Sequence, residues 1–138
     1  LLVLVENITK ALKKAVVEAV VEAGGKPCPP VILGLGVGGG SDIALELAKK
    51  ALLRPLDQRH RNPLIAEFEE ELLGLVNETG IGAMGLGGDV TVLAVNIEYA
   101  HRHPASFPLG IAFQCWAARR ATAIIEADGK VSFISHKI

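Results

Sequence analysis

Two cysteines are the residues of this 138-residue chain best suited to chemistry, and each lies in a local sequence unlike an ordinary core. Cys28 is set among prolines in Lys26-Pro27-Cys28-Pro29-Pro30, and Cys115 closes Phe113-Gln114-Cys115-Trp116, twelve positions after His103. A deprotonated thiol is a nucleophile and a soft metal ligand, and thiolates suit iron-sulfur clusters. Far apart in sequence, the pair makes no CxxC zinc signature, and two cysteines cannot complete a structural zinc site. Residue type alone therefore leaves three readings: one disulfide, two inert buried thiols, or shared metal ligation. Burial is the commonest state of a free cysteine.

Histidine and glycine supply the other candidates. His101-Arg102-His103-Pro104 gathers three cationic or titratable groups at the end of an apolar run, where sites are commonly built. Arg102 reads equally as a substrate contact and as a structural ion pair, whereas His60 and His136 are expected to be solvated. Gly34, Gly36 and Gly39 satisfy a G-x-G-x-x-G pattern between a strand and a helix. A dinucleotide unit, however, needs a second apolar strand directly after that helix, and the sequence there is Arg54-Pro55-Leu56-Asp57-Gln58-Arg59-His60. The better functional reading is an anion-binding loop, with Gly38 and Gly39 bringing backbone amides to a substrate carboxylate at a helix N-terminus. Glu67, Glu69, Glu70 and Glu71 form an acidic run of the kind that usually makes a solvated helix face.

The block from His101 to Arg120, which carries Arg102-His103-Pro104-Ala105-Ser106 and Gln114-Cys115-Trp116-Ala117, resembles the iron-sulfur hydro-lyases when taken with the Cys28-Pro29-Pro30 segment and its glycine loop. These are the class I fumarate hydratases and L(+)-tartrate dehydratases, and the likeness is to their alpha subunit. It runs over residues 7–133 with the motifs in the family's order and spacing. It implies that Cys28 and Cys115 are cofactor ligands of a [4Fe-4S] cluster, with a third cysteine from an N-terminal half of the subunit outside these residues. It also implies a vacant iron acting as Lewis acid on a small dicarboxylate, and His103 contacting that substrate. A beta subunit or fused equivalent would carry the base and most of the carboxylate clamps, in an assembly expected to be oligomeric. Single-chain relatives have a further cysteine where this chain has Phe107, which points to Cys115 as the ligand. The expected activity is reversible hydration of fumarate or dehydration of tartrate, absent from these residues alone. The competing reading is a non-catalytic α/β domain with inert cysteines and a nucleotide-binding or purely structural glycine loop.

The elements that must position these residues follow from periodicity. Ile8, Leu12, Ala15, Val16, Ala19, Val20 and Ala23 recur at spacings of three and four, predicting an amphipathic helix over 7–23 stopped by Gly24-Gly25. Pro27, Pro29 and Pro30 are expected to hold Cys28 extended. A short strand over 31–35 leads through the glycines to a helix over 43–53, capped by Ser41 or Asp42. A helix over 63–78 begins at Pro63 and ends near Gly80. After a second glycine stretch, 80–88, strands are predicted at 90–99, 109–115 and 120–126, with Asp128-Gly129 turning into 130–135. The fold class is mixed α/β (α+β), with helices around a short strand and glycine loop, then a mainly β C-terminal part with a hairpin.

Composition sets the bounds. Half the residues are hydrophobic and 21% charged, which suits a single globular domain over 1–138. A net charge of -1 with 4% aromatics gives neither a basic stripe nor stacking platforms, so nucleic acid is not an expected partner. No apolar run is long enough to span a membrane, and Leu1 to Val5 is too short for a signal-peptide core. Two cysteines make no disulfide scaffold, and a cytoplasmic setting is expected. Because residue 1 is not Met, it reads as an internal cut.

Overall fold

The structure, a computed structural model, describes residues 2–118 and 122–134. Its centre is a three-stranded sheet ordered β2-β1-β3, with β1 at Val31–Val37, β2 at Val92–Tyr99 and β3 at Leu109–Gln114. β1 runs parallel to β2 and antiparallel to β3. Three helices, α1 (Leu2–Ala23), α2 (Ser41–Ala51) and α3 (Pro63–Asn77), cover its two faces, and β4 (Ala123–Ile125) pairs with β5 (Val131–Phe133) in a separate hairpin. The mixed α/β class and the β-rich C-terminal part agree with the sequence reading.

The side-chain period of a strand decides which helix meets which face. Val31, Leu33 and Leu35 of β1, with Val95 and Ile97 of β2, are buried against Leu12, Val16 and Val20 of α1 and Leu72 and Val76 of α3. Truncating one such side chain to alanine costs about 2–5 kcal/mol. The opposite face of β1 carries Gly34 and Gly36, paired with Gly110 and Ala112 on β3. A Cβ on Gly34 would stand 2.0 Å from the Ala48 carbonyl oxygen, and one on Gly36 1.9 Å from that of Ala44. α2 thus lies backbone-close on this face through Ala44, Ala48 and Ala51, all buried. The G-x-G of the glycine pattern is explained by this packing and not by a nucleotide.

Local chemistry sets the helix ends. Gly24 at φ 52 donates its N–H to Val20 O and stops α1. Asn62 caps α3, its side chain accepting from the Leu64 N–H, with Pro63 in the first turn. α2 differs from expectation. Its N-cap is Gly40, which offers no side chain, so neither Ser41 nor Asp42 performs the cap. No helix among the described residues is long and apolar enough to cross a membrane. His136, the start of the expected 120–126 strand and residue 135 lie outside the described residues.

Among the described residues no strand lies beyond β2, and polar side chains bond to backbone groups of that edge. The Asn77 carboxamide accepts the N–H groups of Thr91 and Val92 and donates to Val92 O. Further along, Glu69 accepts the Ile97 N–H at 2.7 Å, and Arg54 Nη2 donates to Ile97 O at 2.7 Å. An edge covered in this way is closed to pairing with another strand.

Candidate functional site

Cys28 and Cys115, remote in sequence, come to the same end of the sheet. Cys28 lies just before β1, and Cys115 follows Gln114, the partner of Ile32 near the start of β1. Both thiols are free, Cys28 half-buried and Cys115 exposed. The expectation of an extended Cys28 is overturned: its φ is +59, the left-handed region, and its N–H closes a turn onto Gly25 O at 3.0 Å. The prolines on either side stiffen their own positions, and the bend is made at the cysteine between them. Such a conformation in a non-glycine residue is uncommon and clusters at functional sites.

A pair of unbonded thiols at one edge is a donor set that suits iron-sulfur ligation in softness and fits it in part. No group of three or more His, Cys, Asp or Glu side chains capable of holding a metal occurs among the described residues. These residues offer two ligands, and a cluster with three protein thiolates needs one more.

The remaining candidates gather at the other end of the sheet. Gly38 and Gly39 follow β1 at φ 90 and 67. Their amides are already engaged, Gly38 N–H with Pro108 O and Gly39 N–H with His101 O, both at 3.0 Å. These two N–H groups, expected to meet a substrate carboxylate, tie the glycine turn to the His101–Pro108 segment.

That segment, 101–107, is exposed throughout and folded by Arg102. Its Nη1 donates to the carbonyls of His103, Pro104 and Ser106 at 3.1, 2.9 and 3.1 Å, and the guanidinium lies 5.4 Å from the Phe107 ring centroid. Arg102 thus organises the loop through its backbone carbonyls. His103 Nδ1 accepts the Ala105 N–H at 3.2 Å, which in the neutral ring leaves the proton on Nε2.

His103 and the cysteines are not brought together within this chain. Between them runs the whole of β3, Leu109–Gln114, a span of roughly 17 Å at the usual rise per residue. A single small dicarboxylate cannot touch both ends.

One polar cluster escaped the sequence reading. Glu69, expected on a solvated face, is fully buried at 0% exposure and pairs with Arg54, which is 12% exposed and also holds Glu98 at 2.8 Å. Burial opposes the charge on Arg54, but its hydrogen bonds to Glu98 and Glu69 and the charges of those carboxylates outweigh that and raise its pKa. His60 is likewise half-buried, with its ring 5.7 Å from that of Tyr99 and its N–H donated to Glu69. The signal was present: Ile65, Glu69, Leu72 and Val76 are spaced four, three and four apart, so Glu69 falls on the inward stripe of α3.

The comparisons give the family of the chain. Residues 1–124 match the family described as Fumarate hydratase (Fumerase), and the chain belongs to it. A Methanocaldococcus jannaschii relative, assigned provisionally as L(+)-tartrate dehydratase subunit alpha, is 56% identical over 122 residues, 88% of this chain and 43% of that protein. The L(+)-tartrate dehydratase subunit alpha of Escherichia coli K12 is 42% identical over 109 residues, 79% of this chain and 36% of that protein. The Shigella boydii subunit gives the same figures. The chain thus spans less than half the length of these curated relatives.

Proposed function

We propose that this chain is the C-terminal part of an alpha-type subunit of an iron-sulfur hydro-lyase acting on a small dicarboxylate of the fumarate or tartrate kind. Cys28 and Cys115 would hold two positions of a [4Fe-4S] cluster. The observation that carries this is the placement of two free cysteines at the same end of the sheet in a member of the fumarate hydratase family. The relatives are named alpha subunits, which supports a beta-type partner supplying the groups missing here, in an oligomer of at least those two parts. The third cysteine would come from outside these residues.

A bound cluster with one iron free of thiolate supplies Lewis-acid activation of a hydroxyl group. This chain's own contribution is positional. The bend at Cys28 fixes one thiol beside β1, the pairing of β3 with β1 fixes the other, and the apolar sheet behind them keeps both on a rigid base. His103, at the opposite end, would meet a carboxylate only where a second copy or another segment brings a cluster to that end.

Anaerobic iron and sulfide reconstitution of the assembled enzyme tests the reading. Brown absorbance that is lost in both Cys28→Ala and Cys115→Ala, and kept in His103→Asn while hydratase activity falls, is the expected result. Unchanged spectra in both cysteine variants would sink the ligand assignment and leave a domain with inert thiols.

A further inference from the structure

Among the described residues, only two outside glycine have positive φ, Cys28 at 59 and Met84 at 56. They sit in facing loops. The Met84 N–H donates to Pro29 O at 2.7 Å, one residue beyond Cys28. Next to that bond the two backbones touch without side chains between them. A Cβ on Gly25 would stand 2.9 Å from Met84 O and 3.3 Å from Gly85 Cα, and a Cβ on Gly85 would stand 2.8 Å from Gly25 Cα. Gly25 is also the residue whose carbonyl receives the Cys28 N–H. The 82–88 loop is itself anchored, by Gly82 N–H to the buried Thr91 hydroxyl at 3.0 Å and by Gly87 N–H to Ile81 O at 2.8 Å. A chain of short contacts therefore runs from the Thr91 side chain, just before β2, through the 82–88 loop to the turn that carries Cys28.

We infer that the second glycine stretch is a brace for Cys28, with Gly25 and Gly85 as positioning residues that set the thiol's direction for cluster ligation. The inference rests on the reading of Cys28 as a ligand. Backbone held in sparsely populated conformations persists only where its surroundings impose it. Here the surroundings are this loop, and the position it imposes is that of a ligand whose geometry must be kept.

Three variants separate the brace from general damage to the loop. Gly25→Ala perturbs the contact at a position that is not among the positive-φ residues. Gly85→Ala perturbs the same contact from the other side, at φ 77, and Gly87→Ala strains the loop at φ 94 where an added Cβ meets nothing. Two readouts apply to the assembled enzyme: the alkylation rate of Cys28 by iodoacetamide in the cluster-free Cys115→Ser background, and the rate of cluster bleaching in air after reconstitution with iron and sulfide. Gly25→Ala and Gly85→Ala should alkylate roughly tenfold faster, as a loop that opens more readily would, and bleach faster, with Gly87→Ala staying near the parent. Should Gly85→Ala fail to fold, Gly25→Ala carries the test. Alkylation within about twofold of the parent in Gly25→Ala, or equal acceleration in all three variants, overturns the brace. A parent enzyme whose cluster does not depend on Cys28 overturns the ligand reading instead, whatever the alkylation rates.

Discussion

Arg54→Met is expected to be among the most destabilising changes outside the apolar core. The Glu69 carboxylate is fully buried and accepts from Arg54 Nη1, from the Ile97 N–H at 2.7 Å and from the His60 N–H at 3.2 Å. Methionine replaces much of the arginine stem but none of its charge, so the carboxylate keeps two neutral donors and no counter-ion. Removing one partner of a buried pair costs about 3–5 kcal/mol, because the other is left uncompensated. Lost with it are the bonds to Ile97 O and to Glu98, although Glu98 retains Lys50 at 3.4 Å. Set against a typical stability of about 5–15 kcal/mol, this is a large fraction. Urea unfolding followed by far-UV circular dichroism, on the parent, Arg54→Met, Glu69→Gln and the double variant, reads both the loss and the coupling. The double variant should fall short of the sum of the singles by about 2 kcal/mol. A loss under about 1 kcal/mol for Arg54→Met, the worth of an exposed pair, or strictly additive singles, would refute the reasoning.

Two further outcomes follow from the same face of the sheet. Gly36→Ala places a Cβ 1.9 Å from Ala44 O and 2.6 Å from Ala48 N, and since both are backbone atoms α2 must move off the sheet. A loss of about 3 kcal/mol in urea unfolding is expected, whereas Gly74→Ala, with nothing within 4 Å, should be neutral or slightly stabilising. At Glu98, burial acts to raise the pKa, but the Arg54 hydrogen bond and the charges of Lys50 and Arg54 prevail and hold it below the ordinary 4.5. A carboxyl depressed in the folded state contributes stability above its unfolded pKa and loses it as pH falls through the folded value. The stability gap between parent and Glu98→Gln should therefore narrow as pH drops below 4.5; a gap constant over that range in acid titrations followed by circular dichroism would contradict it.

Periodicity made the elements legible, and three-dimensional company decided what they do. The helix over 63–78 was readable from its apolar stripe, and the structure sets it at Pro63–Asn77. The same stripe contained Glu69, but an acidic run reads as solvated until Arg54 is known to face it, and Arg54 lies on another element. The glycines of 34–39 suggested a loop because glycine is the residue of turns. The strand expected over 31–35 instead runs on to Val37, so that Gly36 joins Gly34 inside β1, where the constraint is the approach of α2, which no local pattern records. At Cys28 the prolines were visible but the sign of φ was not, since it depends on Gly25 and on a loop some fifty-five residues further on. The cysteines stood out by type and context, and their placement at one end of the sheet needed the antiparallel pairing of β3 with β1.

That pairing also bears on how such a site can be shared. An antiparallel strand carries its first and last residues to opposite ends of a sheet, so the twelve positions between His103 and Cys115 separate them in space instead of joining them. Had β3 been replaced by a turn, the same spacing would have put imidazole and thiol within reach of one ligand. With β3 in place, the two cysteines and His103 fall on different surfaces of the chain. Both surfaces are anchored by backbone contact, Gly25 against Met84 and Gly85 at the Cys28 end and Gly38 and Gly39 against Pro108 and His101 at the other, but the His103 loop beyond its anchors is exposed and folded around its own arginine. A rigid end suits a metal ligand, which must keep its angle. Loops exposed in this way, set on a fixed scaffold, are where binding residues concentrate.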